Sequence, residues 1–290
     1  MANFINISKS AADHIRKIME DGAGKALRIG LKKGGCAGME YTMEYVNEIS
    51  ESDEVVEVDG AKIVIAEIDI TNSENAKKKI LDTGSEAIIV KTDVSKKDSI
   101  NEMVEKTIQT YGKIDILIIN AGIRHVKKLL DHTKQDWDDM ISVNLTAPFL
   151  ASQAVIPHMI KNGKGKIINF GSIASFMGRP DRVGYVAAKS GVLGLTRALS
   201  VDLTGKNINV NTICPGLIST PFNQKYAEDP KHGKAWGKET VVGRWGQPKD
   251  IVGAAVFLSS DESDFINGSE IKIDGGWLSS KVRKGELDNE

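Results

Sequence analysis

Lys166-Ile167-Ile168-Asn169-Phe170-Gly171-Ser172 and, further on, Tyr185-Val186-Ala187-Ala188-Lys189 decide the reading of this chain. The apolar run at 166–170 is short and β-branched, which reads as a strand, and it ends in a Gly-Ser turn. The segment 183–203 has helical periodicity. Tyr185 and Lys189 stand four apart there, so they share one helix face. An ammonium beside a phenol favours the phenolate and lowers the tyrosine pKa. A phenol tuned that way exchanges a proton with an alcohol or carbonyl near neutral pH. The hydroxyl of Ser172, at the end of the strand, is placed to hold the substrate oxygen. A Tyr-x-x-x-Lys pair alone decides nothing, because lysine is common, so the surroundings must carry the reading.

Working outward, strand-like and helical stretches alternate from about residue 60 to residue 277. Strands are expected at 63–67, 87–91, 114–119, 166–170, 208–213 and 270–273. Helices are expected at 72–81, from Ser95 as cap to Gly112, at 134–160 with Thr133 as cap, at 183–203 and at 249–259. Such alternation means βαβ units and a parallel sheet covered on both faces. The run Ile114-Asp115-Ile116-Leu117-Ile118-Ile119 suits a strand buried on both sides, near the sheet centre.

The chain has 290 residues, 41% of them hydrophobic and 27% charged, with a formal net charge of −1. That is a soluble globular composition. No basic stripe marks a nucleic-acid partner. No apolar stretch reads as long enough to span a membrane, and residues 1–6 do not form a secretory leader. Two cysteines, Cys36 and Cys214, make no disulfide framework, so a reducing cytoplasm is expected.

Residues 1–60 read differently. Residues 8–20 form an amphipathic helix with Ala11, Ile15 and Ile18 on one stripe. Leu27, Ile29 and Leu31 alternate, and so do Met39, Tyr41, Met43 and Tyr45, which is the period of two of a strand. Residues 55–58 and 62–65 around Asp59-Gly60 read as a hairpin. Helix followed by antiparallel strands is an α+β pattern. The loop Gly34-Gly35-Cys36-Ala37-Gly38 has two readings. As a dinucleotide phosphate loop it should open a helix, yet a strand-like segment follows it.

In their order, Asn120-Ala121-Gly122, Asn144, Ser172, Tyr185 with Lys189, and Pro215-Gly216 with Thr220 resemble the motif set of the short-chain dehydrogenase/reductase family. The likeness spans about residues 60–277. It lacks the first strand, phosphate loop and first helix of that family. Residues 4–65, through Gly34-Gly35-Cys36-Ala37-Gly38 and Tyr41, resemble the first half of the A-type iron–sulfur carriers, which is the second reading of the glycine loop. The expected fold is therefore α/β, an incomplete Rossmann-type doubly wound parallel sheet with a small N-terminal α+β lobe. Its parts are 1–60, 61–278 and a charged tail at 279–290.

The resemblance implies hydride transfer between a nicotinamide and a secondary alcohol or ketone. Tyr185 is then the proton donor or acceptor, Lys189 lowers its pKa and holds the nicotinamide ribose, Ser172 bonds the reacting oxygen, and Asn144 holds a water leading to Lys189. Asp93 and Val94 would meet adenine. Asn120, Ala121 and Gly122 would line the cofactor, and Pro215, Gly216, Ile218 and Thr220 would meet the nicotinamide amide. Glu67 would bind the adenosine ribose and repel a 2′-phosphate, so NAD is expected ahead of NADP. No metal is expected. Cys36 maps to a carrier ligand whose partner cysteines are absent, so an iron–sulfur cluster is not expected. The resemblance also implies a homo-oligomer, dimer or tetramer, built through the helices at 134–160 and 183–203, with Ala147, Phe149, Val192 and Leu195 as apolar surface. The substrate region, 217–247, carries Phe222, Tyr226, Trp236 and Trp245 with Lys225, Lys231 and Arg244 among them, which leans towards a polar or acidic small molecule. A non-catalytic chimera or carrier remnant, with the dehydrogenase part as scaffold, stays open as the alternative.

Overall fold

The strand opened by the deciding stretch is β6, Gly165–Phe170, buried along nearly its whole length. Together with Ile116–Ile119 (β5), Ile208–Pro215 (β7) and Glu270–Ile273 (β8) it makes a four-stranded parallel sheet in the order β5-β6-β7-β8. The computed structural model describes residues 26–32, 40–46, 61–230 and 233–279. Ile118 lies opposite Ile168, and Ile168 opposite Asn211. Strands made of continuous Ile and Val are what a sheet covered on both faces requires.

The helices between the strands supply that cover. α2, Lys97–Tyr111, ends where Gly112 takes a left-handed conformation (φ +79°) and its N–H reaches the Ile108 carbonyl, a common helix stop. Thr133 and Asp136 form a capping box that starts α3, Lys134–Ile141. A π-turn, Ser142–Thr146, joins α3 to α4, Ala147–Asn162. α5 is Val183–Asp202 and α8 is Pro248–Ser259, with the short helices Gln224–Ala227 (α6) and Gly233–Lys238 (α7) between them. One core cluster gathers Ile100, Val104, Val155, Met159, Ile167 and Val210; a second joins Ile168, Ile213 and Leu258.

Lys62–Glu67 (β3) and Glu86–Lys91 (β4), linked by helix α1, Ile70–Leu81, form a separate two-stranded sheet. The N–H of Glu86 donates to Ala61 and that of Thr92 to Glu67. The constant offset is that of parallel strands. Ala26–Lys32 (β1) and Glu40–Val46 (β2) pair antiparallel with each other, Ile29 opposite Met43. The chain divides into two compact units, 1–63 with 78–87 and 64–77 with 88–290.

Several expectations change. The strand at 114–119 is not central: β5 is an edge of its sheet, and Ile116 and Ile118 are 43% and 47% exposed. Residues 62–65, in β3, pair with β4, and the other arm of the expected hairpin lies outside the described residues. The helix expected from 134 to 160 is broken by the π-turn. Ser95 does not cap α2; its hydroxyl donates to Asp93, and Lys96 holds the cap position with no side-chain bond. The span 134–162 is, by length and composition, apolar enough to cross a membrane, contrary to the sequence reading. It serves here as core, with Ala151, Val155 and Met159 buried. Ala147 and Val192 are likewise core, not apolar surface, leaving Phe149, 42% exposed, and the half-buried Leu195. The helix expected at 8–20, Cys36 with its glycine loop, strand 55–58, Lys231 and residues 280–290 lie outside the described residues.

Candidate active site

Three strand ends and one helix converge. Ser172 follows β6 in extended backbone and caps the 3-10 turn Ile173–Ser175, its hydroxyl accepting from the Ala174 N–H at 3.1 Å. Gly171 before it must be glycine: an added Cβ would sit 2.7 Å from the Sγ of buried Cys214 on β7. Tyr185 and Lys189 come from the first turns of α5, as their spacing requires. The Lys189 ammonium is buried, lies 5.9 Å from the centre of the Tyr185 ring, and donates to the Phe170 carbonyl at 2.7 Å.

Asn144 sits in the π-turn and is almost wholly buried. Its Nδ2 donates to the carbonyls of Ile123 and Met140, both at 3.0 Å, and its Oδ1 accepts from the Ile123 N–H at 3.2 Å. It thereby ties the loop after β5 to the helix junction. A Cβ on Gly122 would stand 2.9 Å from that Oδ1 and 3.7 Å from the Lys189 Nζ. Asn144, Gly122 and Lys189 thus meet, with Asn120 and Ala121 exposed just before them. Gly216 after β7 packs against the backbone of Asp274, 2.6 Å from the Cβ it lacks. Ile218 bridges to Gly246, and the Thr220 carbonyl accepts from the Asn223 N–H.

Glu67 and Asp93 stand at the ends of β3 and β4, in the other ladder. One oxygen of Glu67 accepts from its own neighbours, the N–H groups of Ile68 and Asp69. Asp93 accepts from Ser95 and pairs with Lys96 at 3.1 Å, which holds its carboxyl below the usual range. Val94 is half-buried beside it.

The electrostatics differ from the sequence reading. Burial raises the Tyr185 phenol. Ser172 opposes this first, and then the positive charges of Arg124 and Arg182. Burial also brings Lys189 down to about 8. The arginines were not among the residues read from the sequence. The Arg124 guanidinium lies 6.0 Å from the Tyr185 ring centre, 4.4 Å from Phe222 and 5.3 Å from Tyr226; Arg182 lies 5.9 Å from Tyr226. A signal existed, since Arg124 stands two places after Asn120-Ala121-Gly122. Conversely Arg244, read as a substrate-region cation, is a bidentate partner of Asp250 at the start of α8.

A nicotinamide dinucleotide was tested against this geometry. At the ends of β5, β6 and β7, Gly122, Gly171 and Gly216 pack against Asn144, Cys214 and Asp274, and the hydroxyls and ammonium of Ser172, Tyr185 and Lys189 there are of the kinds that bond a nicotinamide ribose and a reacting oxygen. No glycine-rich turn opening a helix lies beyond a strand end among the described residues, so a pyrophosphate cradle is not matched there.

Comparison with known proteins agrees with the geometry. The family model described as enoyl-(acyl carrier protein) reductase matches residues 54–278, and that for iron–sulphur cluster biosynthesis matches residues 3–76, so the two overlap across the join. The 5-keto-D-gluconate 5-reductase of Escherichia coli K12 is 41% identical over 219 residues, 76% of this chain and 86% of that protein. The 3-oxoacyl-[acyl-carrier-protein] reductase of Thermotoga maritima is 36% identical over 75% of this chain and 88% of its own length. A gluconate 5-dehydrogenase from Burkholderia cenocepacia, solved with NADP and tartrate, superposes with a TM-score of 0.71 at 35% identity, covering 75% of this chain and 85% of that one.

Proposed function

We propose, for a chain that belongs to the short-chain dehydrogenase/reductase family through residues 54–278, that it interconverts a secondary alcohol and a ketone on a small polar molecule. The convergence of Ser172, Tyr185, Lys189 and Asn144 at the strand ends carries this reading. The bound nicotinamide would supply or accept the hydride. Tyr185 gives its phenolic proton to the carbonyl oxygen in reduction and takes it back in oxidation. Ser172, which accepts from Ala174 and bonds the Tyr185 phenol, donates its O–H to the same oxygen once substrate is bound. Lys189 and Asn144 position the ribose side, with Asn120, Ala121, Gly122, Pro215, Gly216, Ile218 and Thr220 as the cofactor wall. The names of the relatives support a keto- or hydroxy-sugar acid as substrate.

The dinucleotide grip is proposed to be weak. Glu67, Asp93 and Val94, the adenosine-side candidates, stand on a ladder that β5 does not join. With no phosphate cradle among the described residues, two or so backbone bonds to phosphate are lost, each worth ~1.5–3 kcal/mol, which costs roughly 10²–10⁴ in affinity. The Glu67 carboxylate supports NAD over NADP. The same split ladder favours a second reading, in which the dehydrogenase part is a non-catalytic scaffold.

Two measurements test these readings. Titration with NADH should give binding weaker than micromolar. If the chain turns over a keto-sugar acid, Tyr185→Phe should lower the rate ~10²–10⁴-fold with the fold unchanged. Full activity in Tyr185→Phe would falsify the assignment. Absence of turnover in the wild type would favour the scaffold.

A further inference from the structure

We propose that the guanidinium groups of Arg124 and Arg182, both set against the Tyr226 ring, hold a carboxylate of the substrate beside Tyr185. The inference rests on Tyr185 being the reacting group and adds which end of the substrate the protein recognises.

Three arginines meet here. Arg124 and Arg182 flank Tyr226, and Arg179 and Arg182 line one 430 Å³ cavity with Lys127, Asp181 and Val183. Their charges reach one another: Arg182 and Arg124 each disfavour the positive charge on Arg179. Among the described residues no aspartate or glutamate forms an ion pair with Arg124, Arg179 or Arg182. Glu239 favours the charge on Arg179 only weakly, and Asp181 lines the same cavity without an ion pair to either arginine. Burial is the main force on both Arg124 and Arg179, drawing their pKa values down. Like charges gathered out of water without a counterion are costly, and an incoming anion removes that cost.

The donors are aimed rather than loose. Arg124 Nη2 is anchored on the Asn223 side chain at 3.1 Å and the Phe222 carbonyl at 3.3 Å, with its plane over the Phe222 ring. Its Nε and Nη1 have no partner among the described residues. Arg182 uses one nitrogen, Nη1, on the Pro180 carbonyl at 2.8 Å. A planar fork with donors to spare is the geometry that takes a carboxylate by two parallel bonds. A lysine in these places would offer only a point charge. The position next to Tyr185 means that one small molecule can present its carboxylate to the arginines and its alcohol or ketone carbon to the phenol.

The test needs no dinucleotide. Calorimetric titration of the full chain with gluconate and with glucitol compares the same hydroxyl chain with and without a carboxylate. Gluconate should bind at least roughly tenfold more tightly, as expected for charge-assisted hydrogen bonds. Arg124→Gln and Arg182→Gln should each remove most of that preference, leaving glucitol binding and melting temperature unchanged, and Arg124→Lys should keep part of it. Should Arg124→Gln disturb the Phe222 loop, Arg182→Gln, which loses a single contact, still decides. Equal binding of the two ligands, no binding of gluconate, or a preference that survives both glutamine variants would overturn the proposal. A retained preference with no turnover would sink the oxidoreductase reading alone.

Discussion

Replacing Asn144 by alanine should cost about 3 kcal/mol of stability. The side chain is almost wholly buried and makes three bonds to backbone, to the N–H and C=O of Ile123 and the C=O of Met140. The helix junction offers Met140 other partners, but Ile123 lies in an irregular loop and loses both of its own. A buried backbone group left without a partner costs ~1–3 kcal/mol, and two such groups with a small cavity give the figure above. For a domain of this size that is a fall of roughly 6–12 °C in melting temperature. Asn144→Asp separates the bonds. It keeps the acceptor for the Ile123 N–H but points a carboxylate oxygen at two carbonyls 3.0 Å away. That repulsion raises the folded-state pKa of the new acid above its unfolded value. Its penalty is therefore present at neutral pH and fades as pH falls towards 4. Urea unfolding at pH 7 and pH 5, followed by circular dichroism, measures both variants. A loss under about 1 kcal/mol in Asn144→Ala, or an aspartate variant no more stable at pH 5, would refute the view that this amide anchors the loop after β5.

Other outcomes can be checked alongside. Burial lowers Lys189 to about 8, so above that pH the unfolded chain binds the extra proton and stability should rise as pH increases beyond 8. The Cys214 thiol, pushed up to about 12 by burial, acts in the opposite sense from about pH 9. The difference between wild type and Lys189→Met isolates the lysine, and parallel profiles would show that it is not buried as a cation. Anaerobic reconstitution with iron and sulfide should leave no stable cluster on Cys36 in this chain alone; a stoichiometric cluster lost in Cys36→Ser would contradict this. Light scattering should report a dimer or tetramer, weakened by Phe149→Glu on the exposed side of α4, whereas a clean monomer at micromolar concentration counts against assembly through the helices.

How much of this was legible in the sequence follows from which forces are local. Six parallel strands and the helices between them were readable because burial on two faces demands unbroken Ile and Val, and the start of α3 was readable because Thr133 and Asp136 are close in sequence. The spacing of Tyr185 and Lys189 is a property of one helix, and the motif set from Asn120 to Thr220 named the family. What the sequence could not decide were choices settled between distant segments. Residues 62–67 suit a hairpin or a parallel ladder equally, and only the folded chain shows their pairing with β4. The continuous run at 116–119 looks central, but among the described residues β5 ends the order of its sheet, and Ile116 and Ile118, on one face of it, are left exposed. The phenol of Tyr185 was read against its neighbour Lys189 alone, whereas burial raises it and Ser172, Arg124 and Arg182 oppose that rise. The arginine cluster forms only when Arg124 reaches Asn223, 99 residues along the chain. No window of local periodicity holds both, and only the packed chain sets Arg124 and Arg182 against the one Tyr226 ring.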